Sequence, residues 1–341
     1  MLDAPNPGHI MQVGLGFWAS KVLLSAVELD LFTKLAEGSC TLAQLSSALG
    51  LHPRASRDFL DALVALGFLG RDGDGPGARY SNTADAAMFL DSRSPAFVGG
   101  LLKMANGRLY ENWAHLTEAL RTGLPQNEIK QTGKPVFEAI YSSPEALEGF
   151  MRAMAGISVG PSMALAEKFD FSPYRTMIDA GGATGLLSIC VAKRHPHIGA
   201  ITIDLPAVEP IAKRTVAAAG LADRVKTASV DVFAEPLPKA DVVAMGQLLH
   251  DWDLPQKMHL IRSAYDALPV GGAFIAVDNI IDDARRENAF GLLMSLNMLI
   301  ETPGGFDYSG ADFARWCREV GFKSIEVMPL AGPTSAAIAI K

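Results

Sequence analysis

The stretch that most constrains the fold of this chain is Thr176-Met-Ile-Asp-Ala-Gly-Gly-Ala-Thr-Gly185. An apolar run ends at Asp179, a glycine-dense turn follows, and a helical pattern of apolar residues begins at Leu186. A buried strand that leads through such a turn into a helix is typical of a nucleotide site. The glycines let the backbone approach a ligand closely, and the first N–H groups of the helix are free to donate.

The spacing of the glycines does not by itself identify the ligand. A dinucleotide fingerprint requires glycine at its first, third and sixth positions. With the third on Gly182 and the sixth on Gly185, the first position is occupied by Ala180. An acid directly before the glycines also suits a cationic ligand better than a pyrophosphate, so the neighbouring motifs must decide.

From residue 176 onward, short apolar strands alternate with helices. This alternation predicts an α/β fold with a doubly wound, mostly parallel, Rossmann-like sheet whose ligands bind at the carboxyl ends of the strands. The predicted strands are 176–179, 199–204, 225–229, 241–247, 273–278, 324–328 and 336–340, and the predicted helices are 185–195, 206–219, 254–268, 285–301 and 309–320.

The first hundred residues follow a different pattern, which predicts an α-helical winged helix. An apolar helix over 10–36, with a kink expected near Gly14–Gly16, precedes a helix that opens with a capping box at Thr41, a helix that opens at His52, and a hairpin over 68–81. The first helix carries more apolar surface than a domain of this size covers, so we expect a dimerisation domain over 1–100.

The segment between these two patterns is predicted to be mainly helical and rich in Met and aromatic side chains, which either form core or wall a substrate pocket. We therefore expect a catalytic domain over 101–341, with helices from 101–168 contributing to the pocket. The predicted helices are 95–106, 108–122, 134–141, 144–158 and 160–168.

Charge and composition argue against several classes of partner. The net charge is −7, and the first hundred residues carry seven Lys/Arg against ten Asp/Glu, whereas a helix that reads nucleic acid needs a basic face. The three cysteines lack metal-ligand spacing, and no signal peptide or uncharged membrane-spanning run is seen. We expect a cytoplasmic protein without a metal ion and without nucleic-acid or membrane partners.

Acidic residues are predicted to lie where the second and third strands end. Asp204 closes the second strand, 25 residues after Asp179, where an acid accepts the ribose hydroxyls of an adenosine. Asp231-Val-Phe233 follows the third strand, so Asp231 would accept the adenine amine while Val232 and Phe233 cover the ring.

A histidine follows the fourth strand, in Gly246-Gln-Leu-Leu-His250-Asp-Trp252. At this position His250 is expected to face the ligand crevice, with Asp278 and Asp307 placed to reach it. A base held by a third group is the usual arrangement for general-base catalysis. The alternative is that His250 caps the helix beginning near Leu254 or is structural.

Together these motifs resemble those of the plant-type O-methyltransferase family, which includes the caffeate, isoflavone and acetylserotonin enzymes and many bacterial natural-product methyltransferases. The resemblance covers nearly the whole chain. The matching motifs are Asp179-Ala-Gly-Gly-Ala-Thr-Gly185, Ile203-Asp-Leu-Pro-Ala-Val208, Asp231-Val-Phe233, His250-Asp-Trp252, Ala267-Leu-Pro-Val-Gly-Gly272 and Pro303-Gly-Gly305.

The resemblance implies a homodimeric methyltransferase that uses S-adenosylmethionine to methylate a hydroxyl of a small molecule. His250 would be the base, oriented by Asp278 and Asp307 where the family commonly has glutamates. The implied cofactor-binding residues are Asp179, Gly181, Gly182, Gly185, Asp204, Leu205, Asp231, Val232, Phe233 and Gln247, and the implied substrate-binding residues are Phe137, Met154, Asp251, Trp252 and Met294.

Three departures from the family pattern leave alternatives open. Gly246 stands where plant members carry a lysine, Gln247 where a tryptophan often follows, and both aspartates are one bond shorter than glutamates, so that a water could bridge to the base. The alternatives are methylation of sulfur, nitrogen or carbon, a cofactor-binding relative with other chemistry, an NAD dehydrogenase and a DNA-binding regulator. A thioether acceptor would need no base.

Overall fold

The structure is a computed structural model that describes residues 5–133, 141 and 143–341. Phe137 and nearly all of the predicted helix 134–141 lie outside the described residues. The chain divides into two compact units, Met1–Glu111 and Asn112–Lys341.

The first unit is mainly helical. The kink predicted near Gly14–Gly16 is confirmed, since one helix ends at Gly14 and the next begins at Gly16. The prediction of one helix over 10–36 is wrong, because the chain breaks again at Asp30, which takes a left-handed φ of 54°. The capping box at Thr41 is confirmed. The elements are α1 Gly8–Gly14, α2 Gly16–Glu28, α3 Leu31–Leu35, β1 Cys40–Thr41, α4 Leu42–Leu49, α5 Pro53–Ala65, β2 Leu69–Asp72, β3 Arg79–Asn82, α6 Ala84–Phe89, α7 Gly99–Met104, a π-helical turn Ala105–Leu109, and the start of α8 Tyr110–Trp113.

The predicted hairpin is confirmed, and over the described residues it forms a three-stranded sheet of order β1-β3-β2. Its inner surface and the helices enclose a core that includes Phe32, Leu45 and Leu60. The two first helices, in contrast, expose large apolar side chains: Ile10, Met11, Val13, Phe17 and Trp18.

The stretch Gly8–Glu28 also has the length and the apolar composition of a membrane span, the only one found among the described residues, and 17% of its most apolar window is buried. It contains Lys21 and Glu28 and is interrupted at Leu15, and length and composition alone are weak evidence for a span.

In the second unit, the helices that precede the sheet differ from the predicted ones. The two helices predicted at 144–158 and 160–168 are one helix, which continues through Pro161. Its residues beyond the proline, including Leu165 and Ala166, are buried, so tertiary packing outweighs local propensity. The elements are α9 Leu116–Thr122, α10 Glu128–Thr132 and α11 Pro144–Lys168.

The predicted doubly wound, mostly parallel sheet is confirmed. Over the described residues, seven strands have the order β6-β5-β4-β7-β8-β10-β9; β10 is antiparallel to both of its neighbours and the other pairs are parallel. The elements are β4 Thr176–Ala180, α12 Leu186–Arg194, β5 Gly199–Asp204, α13 Glu209–Ala218, β6 Val225–Ser229, β7 Val242–Gly246, α14 Leu254–Ala267, β8 Ala273–Asp278, α15 Ala289–Glu301, α16 Gly310–Val320, β9 Ser324–Pro329 and β10 Ser335–Ile340.

The strand order indicates where on the sheet a ligand binds. Helices cover both faces of the sheet over two apolar clusters, so its central strands are buried on both sides. The order reverses between β4 and β7, and a crevice at the carboxyl ends of such a pair is where doubly wound folds bind ligands. The glycine turn follows β4 and the His250 segment follows β7, on the two sides of this crevice.

Candidate active site

The turn after β4 needs glycine for two different reasons. Gly181 and Gly185 have left-handed φ values of 67° and 76°, which favour glycine. At Gly182 the limit is space: a Cβ would lie 2.8 Å from Cγ of Asp179 and closer still to the hydroxyl of Thr202. The turn is therefore pressed onto the ends of β4 and β5.

Asp204 ties this turn to the end of β5. One carboxylate oxygen accepts the N–H of Ala183 at 2.9 Å, and the other accepts the N–H of Leu205 at 2.7 Å. Burial raises the pKa of Asp204 above its ordinary value, although these two hydrogen bonds act in the opposite direction. Since a carboxylate has about four acceptor positions, Asp204 can still accept hydroxyl groups from a ligand.

Asp179 was predicted to touch the ligand, but its carboxylate points into the protein. The side chain is buried, and one oxygen accepts both the N–H and the hydroxyl of Ser188, at 3.3 and 3.1 Å. Burial raises the pKa of Asp179 to about 6. The carboxylate thus accepts hydrogen bonds from Ser188 in the first turn of α12, where a negative charge is stabilising, and it ties α12 to β4.

The segment after β6 brings a residue predicted to cover the adenine into contact with a residue predicted to bind the substrate. The carboxylate of Asp231 accepts the N–H of Phe233 at 2.9 Å, which closes a tight turn that includes Val232. The ring of Phe233 meets the ring of Trp252 edge to face, with centroids 4.6 Å apart. Trp252 was predicted on the substrate side, whereas the structure places it against the predicted adenine-covering residue.

Gln247 has a left-handed φ of 52°, and its side chain does not point out of the sheet. Its backbone N–H and its side-chain amide both donate to the carbonyl of Val277, at 2.9 and 3.3 Å. The side chain therefore lies along β8, which does not support the predicted cofactor contact of this residue.

His250 lies in a 3-10 turn, Leu249–Asp251, and is 5% exposed. Its Nδ1 is 3.4 Å from Oδ1 of Asp307, and its Nε2 is 3.5 Å from Oδ1 of Asp251. The capping alternative for His250 is wrong, because Asp253 caps α14 in a reciprocal capping box with Gln256. The imidazole is thus held between two acids.

Asp278 and Asp307 make different contacts in this arrangement. An isolated parallel bridge between Ile281 and Ser309 brings the loop before α16 alongside the end of β8. Asp307 then contacts the His250 ring, while Asp278 accepts the hydroxyl of the buried Tyr308 at 2.7 Å. Asp307, rather than Asp278, is in position to orient the imidazole.

The glycines of Pro303-Gly-Gly305 let this loop pack directly on the histidine turn. A Cβ on Gly305 would lie 2.7 Å from the carbonyl oxygens of His250 and Asp251, and one on Gly304 would lie 2.8 Å from Cβ of Asp253. Larger residues would push the loop that carries Asp307 away from His250.

The electrostatics of the cluster favour a proton on His250. Burial by itself would lower the pKa of His250, but the charge of Asp251, the contact with Asp307 and the charge of Asp278 outweigh it and raise the pKa to about 10. Burial raises the pKa of Asp251 to about 6 and that of Asp278 to about 7. A free imidazole here is a stronger base than histidine in water.

Sequence analysis did not identify two residues near this site. Lys257 on α14 is fully buried. It occupies a position where the helical period of Leu260 and Ile261 predicts an apolar side chain, so the sequence did contain a signal for it. Tyr141 lies near Asp204 and Asp251, and burial together with these charges raises its pKa above the ordinary value. No sequence pattern distinguished Tyr141 from its aromatic neighbours.

Met154 and Met294, predicted to contact substrate, are both half-buried, on α11 and α15. Helix α15 packs against the His250 turn, and α11 packs against α12. No group of side chains suited to a metal ion occurs among the described residues.

Sequence comparison finds two family profiles in the chain. An O-methyltransferase domain matches residues 113–323, and an O-methyltransferase dimerisation domain matches residues 11–92.

Individual proteins are similar over nearly the whole length. The tetracenomycin polyketide synthesis 8-O-methyl transferase of Streptomyces glaucescens is 42% identical, over 98% of this chain and 97% of its own. The 3-hydroxy-5-methyl-1-naphthoate 3-O-methyltransferase of Streptomyces sahachiroi is 34% identical, over 96% and 92%. The structure of human N-acetylserotonin methyltransferase in complex with S-adenosylmethionine superposes with a TM-score of 0.91 at 27% identity, covering 100% of this chain and 99% of that one.

Proposed function

The chain belongs to the plant-type family of S-adenosylmethionine-dependent O-methyltransferases, and on this premise we propose that it methylates a hydroxyl group of a small aromatic molecule with His250 as the general base. The observation that carries the proposal is the position of His250. The ring is buried at the carboxyl end of β7, Asp307 lies at Nδ1, and Nε2 is on the opposite side of the ring.

The described residues fit the cofactor. The turn at Gly182 has no room for a side chain, and Asp204 at the end of β5 retains acceptor positions for ribose hydroxyls. Asp231 and Phe233 would contact the adenine of the cofactor. When bound, S-adenosylmethionine supplies a methyl group that is already activated for transfer, so the protein has to position the acceptor and remove its proton.

The acid–base step is assigned to Nε2 of His250. A phenol has a pKa of roughly 10, so passing its proton to an imidazole whose pKa is also about 10 is nearly balanced in energy. Asp307 stabilises the imidazolium that forms. The same raised pKa leaves a small fraction of neutral imidazole at pH 7, and turnover should therefore increase with pH.

An aromatic hydroxyl is the acceptor that the relatives favour. The two Streptomyces proteins carry the names of a polyketide 8-O-methyl transferase and a hydroxynaphthoate 3-O-methyltransferase. We infer a polycyclic phenol of this kind. We infer that Asp251, whose Oδ1 lies 3.5 Å from Nε2 of His250, would lie beside such an acceptor.

We also propose that the protein works as a cytoplasmic homodimer that assembles through its dimerisation domain, without a nucleic-acid or membrane partner. The match over residues 11–92 and the exposed apolar side chains of α1 and α2 support this assembly.

The test of the base is His250→Ala, assayed with labelled S-adenosylmethionine and pooled polycyclic phenols. Turnover should fall by about 10²–10⁴-fold, the usual worth of a general base. Cofactor affinity measured by calorimetry should hardly change. His197→Ala is the matched control, because His197 precedes β5 and binds a backbone carbonyl at the opposite end of the sheet. Near-normal turnover of His250→Ala on a phenol would remove His250 from catalysis.

A further inference from the structure

Lys257 is a buried cation that the proposed chemistry does not yet use. It lies on the inner face of α14 together with Leu260, Ile261 and Ala264, and its residue exposure is 0%. Lysine is almost never fully buried unless it is paired, because removing an ammonium group from water is costly. A specific set of partners must therefore hold it there.

Two contacts of the ammonium group connect it to the catalytic segments. Its Nζ donates to the carbonyl oxygen of Trp252, which follows the His250-Asp251 turn. The same nitrogen lies 3.7 Å from the ring centroid of Phe306, which directly precedes Asp307. Lys257 thus bridges the two stretches of chain whose relative position sets the contact between His250 and Asp307.

The groups around this bridge are mostly acidic. Asp251 on the histidine turn, Asp278 at the end of β8 and Asp307 before α16 all act on both His250 and Lys257. The remaining titratable groups are Asp253 at the N-cap of α14, which acts on Lys257, Glu301 at the end of α15, which acts on Asp251, and Tyr308, which binds Asp278.

Burial lowers the pKa of Lys257 to about 8, although the charges of Asp278, Asp307 and Asp251 act to raise it. The ammonium group is therefore largely charged at neutral pH, and its charge in turn lowers the pKa of Asp251.

We propose that Lys257 is a positioning residue for methyl transfer, whose ammonium group balances the carboxylates around His250 and holds the His250 turn against the Asp307 segment. It acts through the cluster and does not contact the reacting atoms. This inference rests on the proposed function, in which His250 removes the proton of the acceptor.

The proposal predicts in which direction turnover changes with pH when Lys257 loses its charge. Loss of the positive charge makes the cluster more negative, so every proton that the cluster binds is held more tightly. The neutral form of His250 would then appear only at higher pH. Turnover at neutral pH should fall and should recover as the pH is raised.

The experiment compares Lys257→Met, which keeps the length of the side chain without its charge, with Lys257→Arg, which keeps the charge. Turnover is measured as a function of pH on the full-length enzyme, and the His250 ring is titrated by NMR without substrate. Lys257→Met should lower turnover about tenfold near pH 7, where the wild-type ammonium group is charged, and should approach wild-type turnover above about pH 9, where that group is already neutral. Lys257→Arg should keep wild-type turnover near pH 7 and should move both midpoints downward by about one pH unit, because arginine stays charged where His250 loses its proton.

Each other outcome has a defined meaning. A Lys257→Met profile that is lowered by the same factor at every pH, or that differs from wild type only in melting temperature, would overturn the inference, and so would an unmoved midpoint in Lys257→Arg. An NMR midpoint that moves while the turnover profile does not follow it would leave the role of Lys257 intact and refute His250 as the base. Lys257→Gln is the second neutral variant. If neither neutral variant folds while Lys257→Arg is active, Lys257 is a structural residue and the inference fails.

Discussion

At the scale of single residues, the proposed base depends on the contact between His250 and Asp307. Its length of 3.4 Å is longer than a good hydrogen bond, and an aspartate reaches one bond less far than a glutamate would from this position. Charge rather than a short hydrogen bond therefore couples the two groups, and charge has a predictable effect on pH dependence.

Removing that charge should move the pH profile in a known direction. The contact with Asp307 raises the pKa of His250, so Asp307→Asn should lower this pKa and shift the rising limb of turnover to lower pH by about one unit or more. The plateau should also fall, because the ring is less well oriented. Asp253→Asn, which keeps the N-cap of α14, is the control. A limb that stays in place or moves to higher pH would contradict the assignment.

Asp204 should carry much of the cofactor affinity. Asp204→Ala should weaken binding of S-adenosylmethionine by about 2–4 kcal/mol, because hydrogen bonds to a charged acceptor are lost and the N–H groups of Ala183 and Leu205 lose their partner. Calorimetry measures the affinity, and Asp223→Ala, an exposed acid before β6, is the matched control. An unchanged dissociation constant would reject the role of Asp204.

The sequence could predict which residues stand at strand ends, because strand boundaries follow from apolar periodicity and these ends meet at one edge of a parallel sheet. It could not predict which of Asp278 and Asp307 reaches His250. That choice depends on the bridge between Ile281 and Ser309, which pairs residues far apart in the chain. The inward turn of Asp179 depends in the same way on Ser188 and on burial.

At the scale of the elements, the sheet was predictable and the helices that precede it were less so. Strands β5, β6 and β8 have the predicted bounds, and β5 and β8 are short, mainly apolar runs between clear breaks. Gly160-Pro161 reads locally as a break in a helix, yet α11 continues through it because its later residues pack in the core. Asp30 interrupts the apolar stretch 10–36 because its backbone is left-handed, and no local sequence pattern predicts this conformation.

The glycine turn gives a prediction at this scale. Gly182→Ala should lower both the melting temperature and the affinity for S-adenosylmethionine, because the new Cβ would collide with Asp179 and Thr202 and force the turn away from the sheet. The destabilisation should be about 1–3 kcal/mol, as for overpacking of a tight site. Gly246→Ala is the control for stability, since no atom lies within 4 Å of a Cβ added there. Wild-type stability of Gly182→Ala would contradict the close approach of the two strand ends.

At the scale of the whole molecule, apolar surface on the first two helices calls for a covering partner. Phe17 is 53% exposed and Trp18 is 60% exposed, and they lie beside the other exposed side chains of α1 and α2 within the matched dimerisation domain. Monomeric proteins rarely leave contiguous apolar patches of this kind in water. A membrane could also cover them, but Lys21 and Glu28 in the same stretch favour another protein surface.

We therefore predict a dimer at micromolar concentration by light scattering, and a monomer or a much weaker dimer when Phe17→Ser and Trp18→Ser are combined. Burying one large apolar side chain is worth about 1.5–3 kcal/mol, and in a symmetric dimer each substitution acts on both protomers. Val270→Ser is the control, because Val270 is 83% exposed in the other unit and should leave the mass unchanged. A wild-type monomer at this concentration would refute the dimer, and a double variant with an unchanged mass would place the interface elsewhere. Partition of the wild-type protein into lipid vesicles, abolished by the same double substitution, would instead assign this surface to a membrane.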